Sequence, residues 1–294
     1  MADRMRATTI GLSAVAMWAA LGALVTATGR VPPFLLNVLT FGVSGSVAIG
    51  WLAARGRLAV LRQPAAVWLL GVGGLFGYHA LYFAALRLAP PVEAGLVNYL
   101  WPLLIVVLSG LLPGERLRAH HLGGALLGLA GAVAVVTRGR GVAIDPAHVA
   151  GYVAALGAAV TWASYSVASR RFGAVPTEVV AGFCLATALL SVPAHLLFET
   201  TVWPAGAGEW AAVAALAAFP IGLAFFTWDH GVKRGDIQVL GAASYLTPLL
   251  STLLLIAIGR GAFDAPVAFA TVAITLGALI AAKDVLRRRP SAEA

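Results

Sequence analysis

The stretch Glu93-Ala94-Gly95-Leu96-Val97-Asn98-Tyr99-Leu100-Trp101-Pro102-Leu103-Leu104 returns 146 residues later as Gly241-Ala242-Ala243-Ser244-Tyr245-Leu246-Thr247-Pro248-Leu249-Leu250. Each copy lies in an apolar run long enough to cross a bilayer, and each is interrupted by a polar residue, a tyrosine and a proline. A proline within a helix has no N–H to give and crowds the carbonyl four residues back, so Pro102 is expected to free the Asn98 carbonyl and Pro248 that of Ser244. Hydrocarbon cannot satisfy such groups; they must be covered by protein or line a wet cavity. Pro102 and Pro248 are therefore read as hinges beside a cavity.

Composition sets the class around these two runs. With 60% hydrophobic and 11% charged residues over 294 residues and a mean hydropathy of +0.90, the chain reads as an all-α integral membrane protein. A span needs about 20 apolar residues, and ten such runs are expected near 7–28, 33–54, 66–87, 91–112, 119–137, 148–170, 177–198, 209–232, 236–258 and 264–283. The connections are short and leave no room for a soluble domain. The first run is read as an uncleaved span, being too long for a signal peptide. Cys184, the single cysteine, falls within the seventh run, so neither a disulfide framework nor a zinc cluster is expected.

The net charge of +8 is explained by topology. Arg4, Arg6, Arg55, Arg57, Arg62, Arg116, Arg118, Arg170, Arg171, Lys233, Arg234, Lys283, Arg287, Arg288 and Arg289 fall at the amino end and in every second connection. Only Arg30, Arg87, Arg138, Arg140 and Arg260 fall on the other side, which places both termini in the cytoplasm. No aromatic interleaving accompanies the basic residues, so no nucleic-acid partner is expected. Trp51, Trp68, Trp203 and Trp210 lie near span ends, where an interfacial belt accounts for them.

The repeat is wider than its prolines. At the same offset Leu81–Arg87 meets Thr227–Lys233 and Gly131-Ala132 meets Gly277-Ala278, while Met17-Trp18-Ala19 meets Thr161-Trp162-Ala163 at an offset of 144. Two units follow, 7–137 and 148–283, with a basic cytoplasmic tail at 284–294. Five spans is an odd number, so the second unit is expected to be inverted relative to the first. Inverted repeats are a mark of secondary transporters, whose sites lie at the midplane between the halves.

The pair Asn98-Tyr99-Leu100-Trp101-Pro102 and Ser244-Tyr245-Leu246-Thr247-Pro248, with Leu86-Arg87-Leu88-Ala89-Pro90, resembles the ten-helix branch of the drug/metabolite transporter superfamily, the EamA-type repeat taken twice. Within it, Glu93 to Pro102 and Gly222 to Pro248 are most similar to the YddG-type aromatic amino acid exporters of bacterial inner membranes. The resemblance implies export of amino acids, aromatic ones among them, from the cytoplasm through a cavity open alternately to each side. No cofactor or metal is implied.

Several residues are candidates for that cavity: Tyr78, His79 and Tyr82 on span 3, Asn98, Tyr99 and Trp101 on span 4, Trp162 and Tyr165 on span 6, and Ser244 and Tyr245 on span 9. Asn98 and Trp101 share a helix face. Trp101 is far from either span end, so it is either a packing residue or a stacking wall, and Trp18 and Trp162 pose the same choice. A mid-span histidine is either a helix–helix hydrogen bond or a proton carrier. The freed carbonyls are expected to suit a substrate ammonium, and the Asn98 amide and Ser244 hydroxyl its carboxylate. Asp229 and His230 are read as solvated near the cytoplasmic end of span 8, and Glu93 as solvated at the start of span 4. His79, Asp229 and Glu93 are the groups available for proton coupling; transport down the substrate gradient is the alternative.

Asn37, Thr40 and Ser44 form a polar stripe suited to helix packing. Gly73 with Gly77, and Gly124 with Gly128, have the spacing of close helix crossings. No Lys, Arg, Asp or Glu falls mid-span, which disfavours phosphorylated substrates and permanent cations. Export of uncharged or cationic drugs and metabolites remains the alternative function. An enzyme is a remote one: Gly42-Val43-Ser44-Gly45 matches a rhomboid-type serine protease motif, with His79 as its base.

Overall fold

A computed structural model describes residues 2–140, 145–257, 259 and 262–284, and among these every regular element is helical. Arg260 and the tail residues 285–294, including Arg287, Arg288 and Arg289, lie outside the described residues. Eight helical segments are long and apolar enough to cross a membrane: α1 (Ala2–Ala27), α2 (Pro33–Ala54), α3 (Ala65–Leu88), α4 (Pro91–Ser109), α5 (Ala119–Thr137), then, beyond α6, α7 (Thr177–Phe198), α8 (Ala207–Arg234) and α9 (Ile237–Ala257). The segment α6 (Val149–Ser169) has 21 residues but carries Thr161, Trp162, Ser164, Tyr165, Ser166 and Ser169, which dilute its apolar character. The last, α10 (Ala265–Ala281), is apolar and has 17 residues.

Side chains such as Leu69, Leu111, Leu196 and Leu197 remain more than two-thirds exposed. An exposed apolar belt of this kind belongs against lipid. Of the four tryptophans expected at span ends, Trp51, Trp203 and Trp210 are exposed, whereas Trp68 packs on Phe183 with ring centroids 5.5 Å apart.

The segments pack in a regular pattern: α1 on α8, α2 on α7, α3 on α6, α4 on α9 and α5 on α10, with α4 also against α6 and α9 against α1. Small residues set the closest approaches. A Cβ on Gly124 would sit 2.4 Å from the Gly277 carbonyl oxygen, and one on Gly277 would sit 2.6 Å from that of Gly124, so the α5–α10 crossing is a backbone contact. Gly128 makes room for Tyr245. Gly73 meets open space and Gly77 only the Thr161 methyl at 3.6 Å, so that pair does not make the close crossing its spacing suggested. On α2, Asn37 and Thr40 are buried and Gly45 lies on the Leu185 backbone of α7.

Among the described residues, besides a one-residue lapse at Ala20 in α1, helical geometry changes at four places that come in two pairs. In α4 the helix Pro91–Asn98 ends and Trp101–Ser109 begins; in α9 the helix Ile237–Ala243 ends and Leu246–Ala257 begins. Each proline sits in the first turn after its break, where a missing N–H is tolerated. The Leu100 N–H turns back to Val97 O at 3.1 Å, and the Thr247 N–H to Ser244 O at 3.0 Å. The Ser244 carbonyl is thus occupied and not free as the sequence suggested, because the chain tightens into a shorter-range turn. The second pair is a π-turn, Gly73–Gly77 in α3 and Phe219–Leu223 in α8. These lie 146 residues apart, the offset of the prolines.

The α5–α10 contact yields a test. Gly277→Val should destabilise the folded protein by roughly 1–3 kcal/mol or more, seen as a lower thermal midpoint in detergent. Gly123→Ala, where nothing lies within 4 Å, should leave the midpoint unchanged or raise it.

Candidate functional site

The breaks and π-turns surround one cavity of about 380 Å³. Trp18, Tyr78, His79, Tyr82, Asn98, Tyr99, Trp101, Trp162 and Phe225 line it, together with Leu21, Gly22, Val25, Ile221, Thr247 and Ser251. None of these is Lys, Arg, Asp or Glu. Gly22 and Val25, exposed residues near the carboxyl end of α1, mark its mouth.

Each π-turn supplies a carbonyl to a ring in the wall. A π-turn breaks the regular i→i−4 ladder, and in α8 the Pro220 carbonyl accepts the Trp18 Nε1–H at 3.0 Å. In α3 the Leu75 carbonyl lies 2.7 Å from His79 Nδ1. A carbonyl can only accept, so Nδ1 carries the hydrogen. The α3 π-turn is itself seated on Tyr165: a Cβ on Gly74 would lie 2.5 Å from Tyr165 Cγ.

Four tryptophans from α1, α4, α6 and α8 converge here. Trp18 meets Trp101 edge-on at 6.2 Å and Trp162 at 5.7 Å between centroids, and Trp101 meets Trp162 at 6.4 Å. Trp228 stands fully buried behind them, stacked 6.2 Å from Trp162, its Nε1–H given to Ser166 Oγ at 3.0 Å. Tyr78 and Tyr82 stack at 5.9 Å. Edge-to-face packing, with the Trp18 and Trp228 indole N–H groups satisfied, makes a rigid apolar wall.

Of the sequence candidates, Tyr78, His79, Tyr82, Asn98, Tyr99, Trp101 and Trp162 come together in this cavity. Three do not line it. Tyr165 is buried beneath the π-turn against a separate space of about 10 Å³ shared with Asp229 and Lys233. Ser244 is fully buried, its hydroxyl turned back to Leu240 O at 2.7 Å. Tyr245 is fully buried against α5. Thr247, Ser251, Ile221 and Phe225 were not among the candidates. The repeat itself contained the signal for two of them, since Thr247 stands 146 residues after Trp101 and Phe225 the same distance after His79.

Asp229 is buried, contrary to the solvated reading. Its Oδ2 lies 2.9 Å from Lys233 Nζ and accepts from Thr177 Oγ1 at 2.8 Å, and Lys233 donates to Val175 O at 3.1 Å. A paired charge with further hydrogen bonds to Oδ2 and Nζ is the kind of arrangement in which such burial is tolerated. Glu93 likewise has a partner, the Tyr152 hydroxyl of α6. Ser44 lines a different, apolar space with Val47 and Trp51, apart from the His79 cavity, so the two do not form a nucleophile–base pair. Away from the cavity, His120, His121 and Asp284 bring one ligand atom each within 4.8 Å of the others, and Asp284 is paired with Arg118 at 2.8 Å.

On the face opposite the mouth, charges from both halves interlock. Glu115 lies 3.1 Å from Arg4 and 2.6 Å from Arg170, and Arg4 lies 3.2 Å from Asp236. Arg170 also donates to the carbonyls of Val232 and Gly235. Burial lowers the Arg170 pKa from its ordinary value, and the Glu115 carboxylate opposes the shift.

Comparison with known proteins assigns the chain. The model of the EamA-like transporter family matches residues 5–137 and again 149–282. The chain belongs to the EamA-like transporter family. It is 57% identical over 281 residues to the aromatic amino acid exporter YddG of Ancylobacter novellus, covering 95% of this chain and 98% of that protein. Its identity to the YddG of Salmonella typhimurium is 25% over 265 residues, covering 85% and 87%. A solved crystal structure of a protein 56% identical superposes with a TM-score of 0.91, covering 97% of this chain and 100% of the other. The chain is thus a multi-pass membrane transporter, and the serine protease alternative falls.

Proposed function

We propose that this transporter exports aromatic and other apolar amino acids from the cytoplasm of a bacterium across its inner membrane. The observation that carries the reading is the tryptophan- and tyrosine-walled cavity with no formally charged residue in its lining. An indole or phenyl ring is matched by edge-to-face aromatic contacts, while a phosphate would call for Lys or Arg and a permanent cation for a carboxylate. A relative 57% identical bears the name aromatic amino acid exporter, which supports the same substrate class. In this reading α1–α10 all span the membrane, as two inverted five-helix repeats with both termini in the cytoplasm. Exchanging the halves turns α1–α8 into α6–α3 and α4–α6 into α9–α1, and returns α2–α7, α4–α9 and α5–α10 to themselves; all are contacts the fold makes.

Alternating access follows from this symmetry. The cavity's mouth faces outward, and the ion pairs joining Arg4 and Glu115 of the first half to Asp236 and Arg170 of the second close the cytoplasmic face. Opening inward requires those pairs to separate while equivalent elements close the other side. The breaks at Pro102 and Pro248 and the two π-turns are the places where helix segments reorient.

Two outcomes test this account. In liposomes carrying the purified protein, labelled tryptophan should enter saturably; Trp162→Ala should weaken its half-saturation by roughly ten-fold, and Tyr165→Phe, off the cavity, should leave it unchanged. Absence of saturable uptake of any amino acid by the unaltered protein would overturn the substrate assignment. Separately, Glu115→Gln should open the cytoplasmic face. With Cys184→Ala removing the buried native thiol, a Gly22→Cys probe in the cavity should then react from the cytoplasmic side roughly ten-fold faster. An unchanged rate would remove the ion pairs from the gate.

A further inference from the structure

We propose that Asn98 Oδ1 receives the substrate's ammonium and the Thr247 hydroxyl donates to its carboxylate, so that each helix break holds one end of the zwitterion. This rests on the amino acid export reading and deepens it.

The assignment starts from the buried polar atoms of the wall that have no partner. Trp18 Nε1–H is given to Pro220 O and His79 Nδ1–H to Leu75 O. Asn98 Nδ2 donates to Tyr78 Oη at 3.2 Å. One of the amide's two N–H groups is thereby used by Tyr78. Its Oδ1 is buried and has no protein partner, and the same is true of Thr247 Oγ1. Asn98 is 5% exposed. Buried polar atoms without partners are uncommon, and both of these residues line the one cavity. Ser244, the residue equivalent to Asn98, has no such atom to offer, since its hydroxyl and carbonyl are both bonded within the chain.

Helix ends decide the polarity. Asn98 is the last residue of Pro91–Asn98, where the partial charge of the helix is negative and the buried, unpartnered atom of its side chain is the acceptor Oδ1; both favour a cation. Thr247 lies in the first turn of Leu246–Ala257, where the partial charge is positive and the hydroxyl has a hydrogen to give; both favour an anion. The aromatic side chain then lies against Trp18, Trp101 and Trp162.

The test uses two probes that each lack one charge: tryptamine, with no carboxylate, and indole-3-propionate, with no ammonium. Uptake of both, and of tryptophan, is measured in liposomes for the unaltered protein, Asn98→Leu and Thr247→Val, with thermal midpoints recorded to confirm folding. The tryptamine to indole-3-propionate uptake ratio should fall about ten-fold in Asn98→Leu and rise about ten-fold in Thr247→Val. Asn98→Asp, which keeps the acceptor and adds charge, should raise the ratio, and it serves if the leucine variant does not fold. Ratios that stay constant, or that move in the opposite sense, while the unaltered protein still transports tryptophan would overturn the assignment and leave the export reading standing. Failure of the unaltered protein to take up any of the three would overturn both.

Discussion

A backbone carbonyl that leaves the α-helical pattern inside a bilayer must find a donor in protein or in trapped water. Much of this fold follows from that constraint. The two π-turns turn carbonyls out of the α-helical pattern, and the side chains that meet them line the cavity. Trp18 is fixed by Pro220 and His79 by Leu75. Irregular backbone thereby orients the aromatic wall, and the wall in turn keeps that backbone away from lipid.

Duplication then accounts for where these features lie. The π-turns and the proline breaks repeat at one offset, and cavity residues come from equivalent positions: Trp18 with Trp162, His79 with Phe225, Trp101 with Thr247. The pairs are equivalent in place and different in chemistry. A site between two such halves can keep a symmetric scaffold for alternating access while its asymmetric side chains read an asymmetric substrate. In the proposed alternating-access cycle, the ion pairs on the opposite face hold one of two equivalent closures.

How much of this was legible in the sequence depended on the kind of signal. Span positions followed from apolar run length, and α2 (Pro33–Ala54) and α5 (Ala119–Thr137) begin and end at the residues expected, because short charged or glycine-containing connections bound them. The breaks were visible as prolines. The π-turns were not: Gly73 and Gly77 carry the spacing of a crossing motif, and only three-dimensional packing against Tyr165 shows otherwise. Seven of the ten candidates line the cavity, because aromatic and polar groups within apolar runs are rare. Ser244 and Tyr245 were misplaced because a repeat predicts equivalent positions and not equivalent exposure; the second break tightens so that Thr247 takes the place facing the cavity. Asp229 looked solvated because sequence proximity to a span end says nothing of Thr177 and Lys233 folding over it.

The most direct measurement is a crystal structure with 5-bromotryptophan, in which anomalous scattering locates the halogen independently of any model of the ligand. A peak among Trp18, Trp101 and Trp162, with the α-carbon toward Asn98 and Thr247, is what this account predicts. A peak in the apolar space beside Ser44 and Trp51, or among the ion pairs around Glu115 with the central cavity empty, would contradict it.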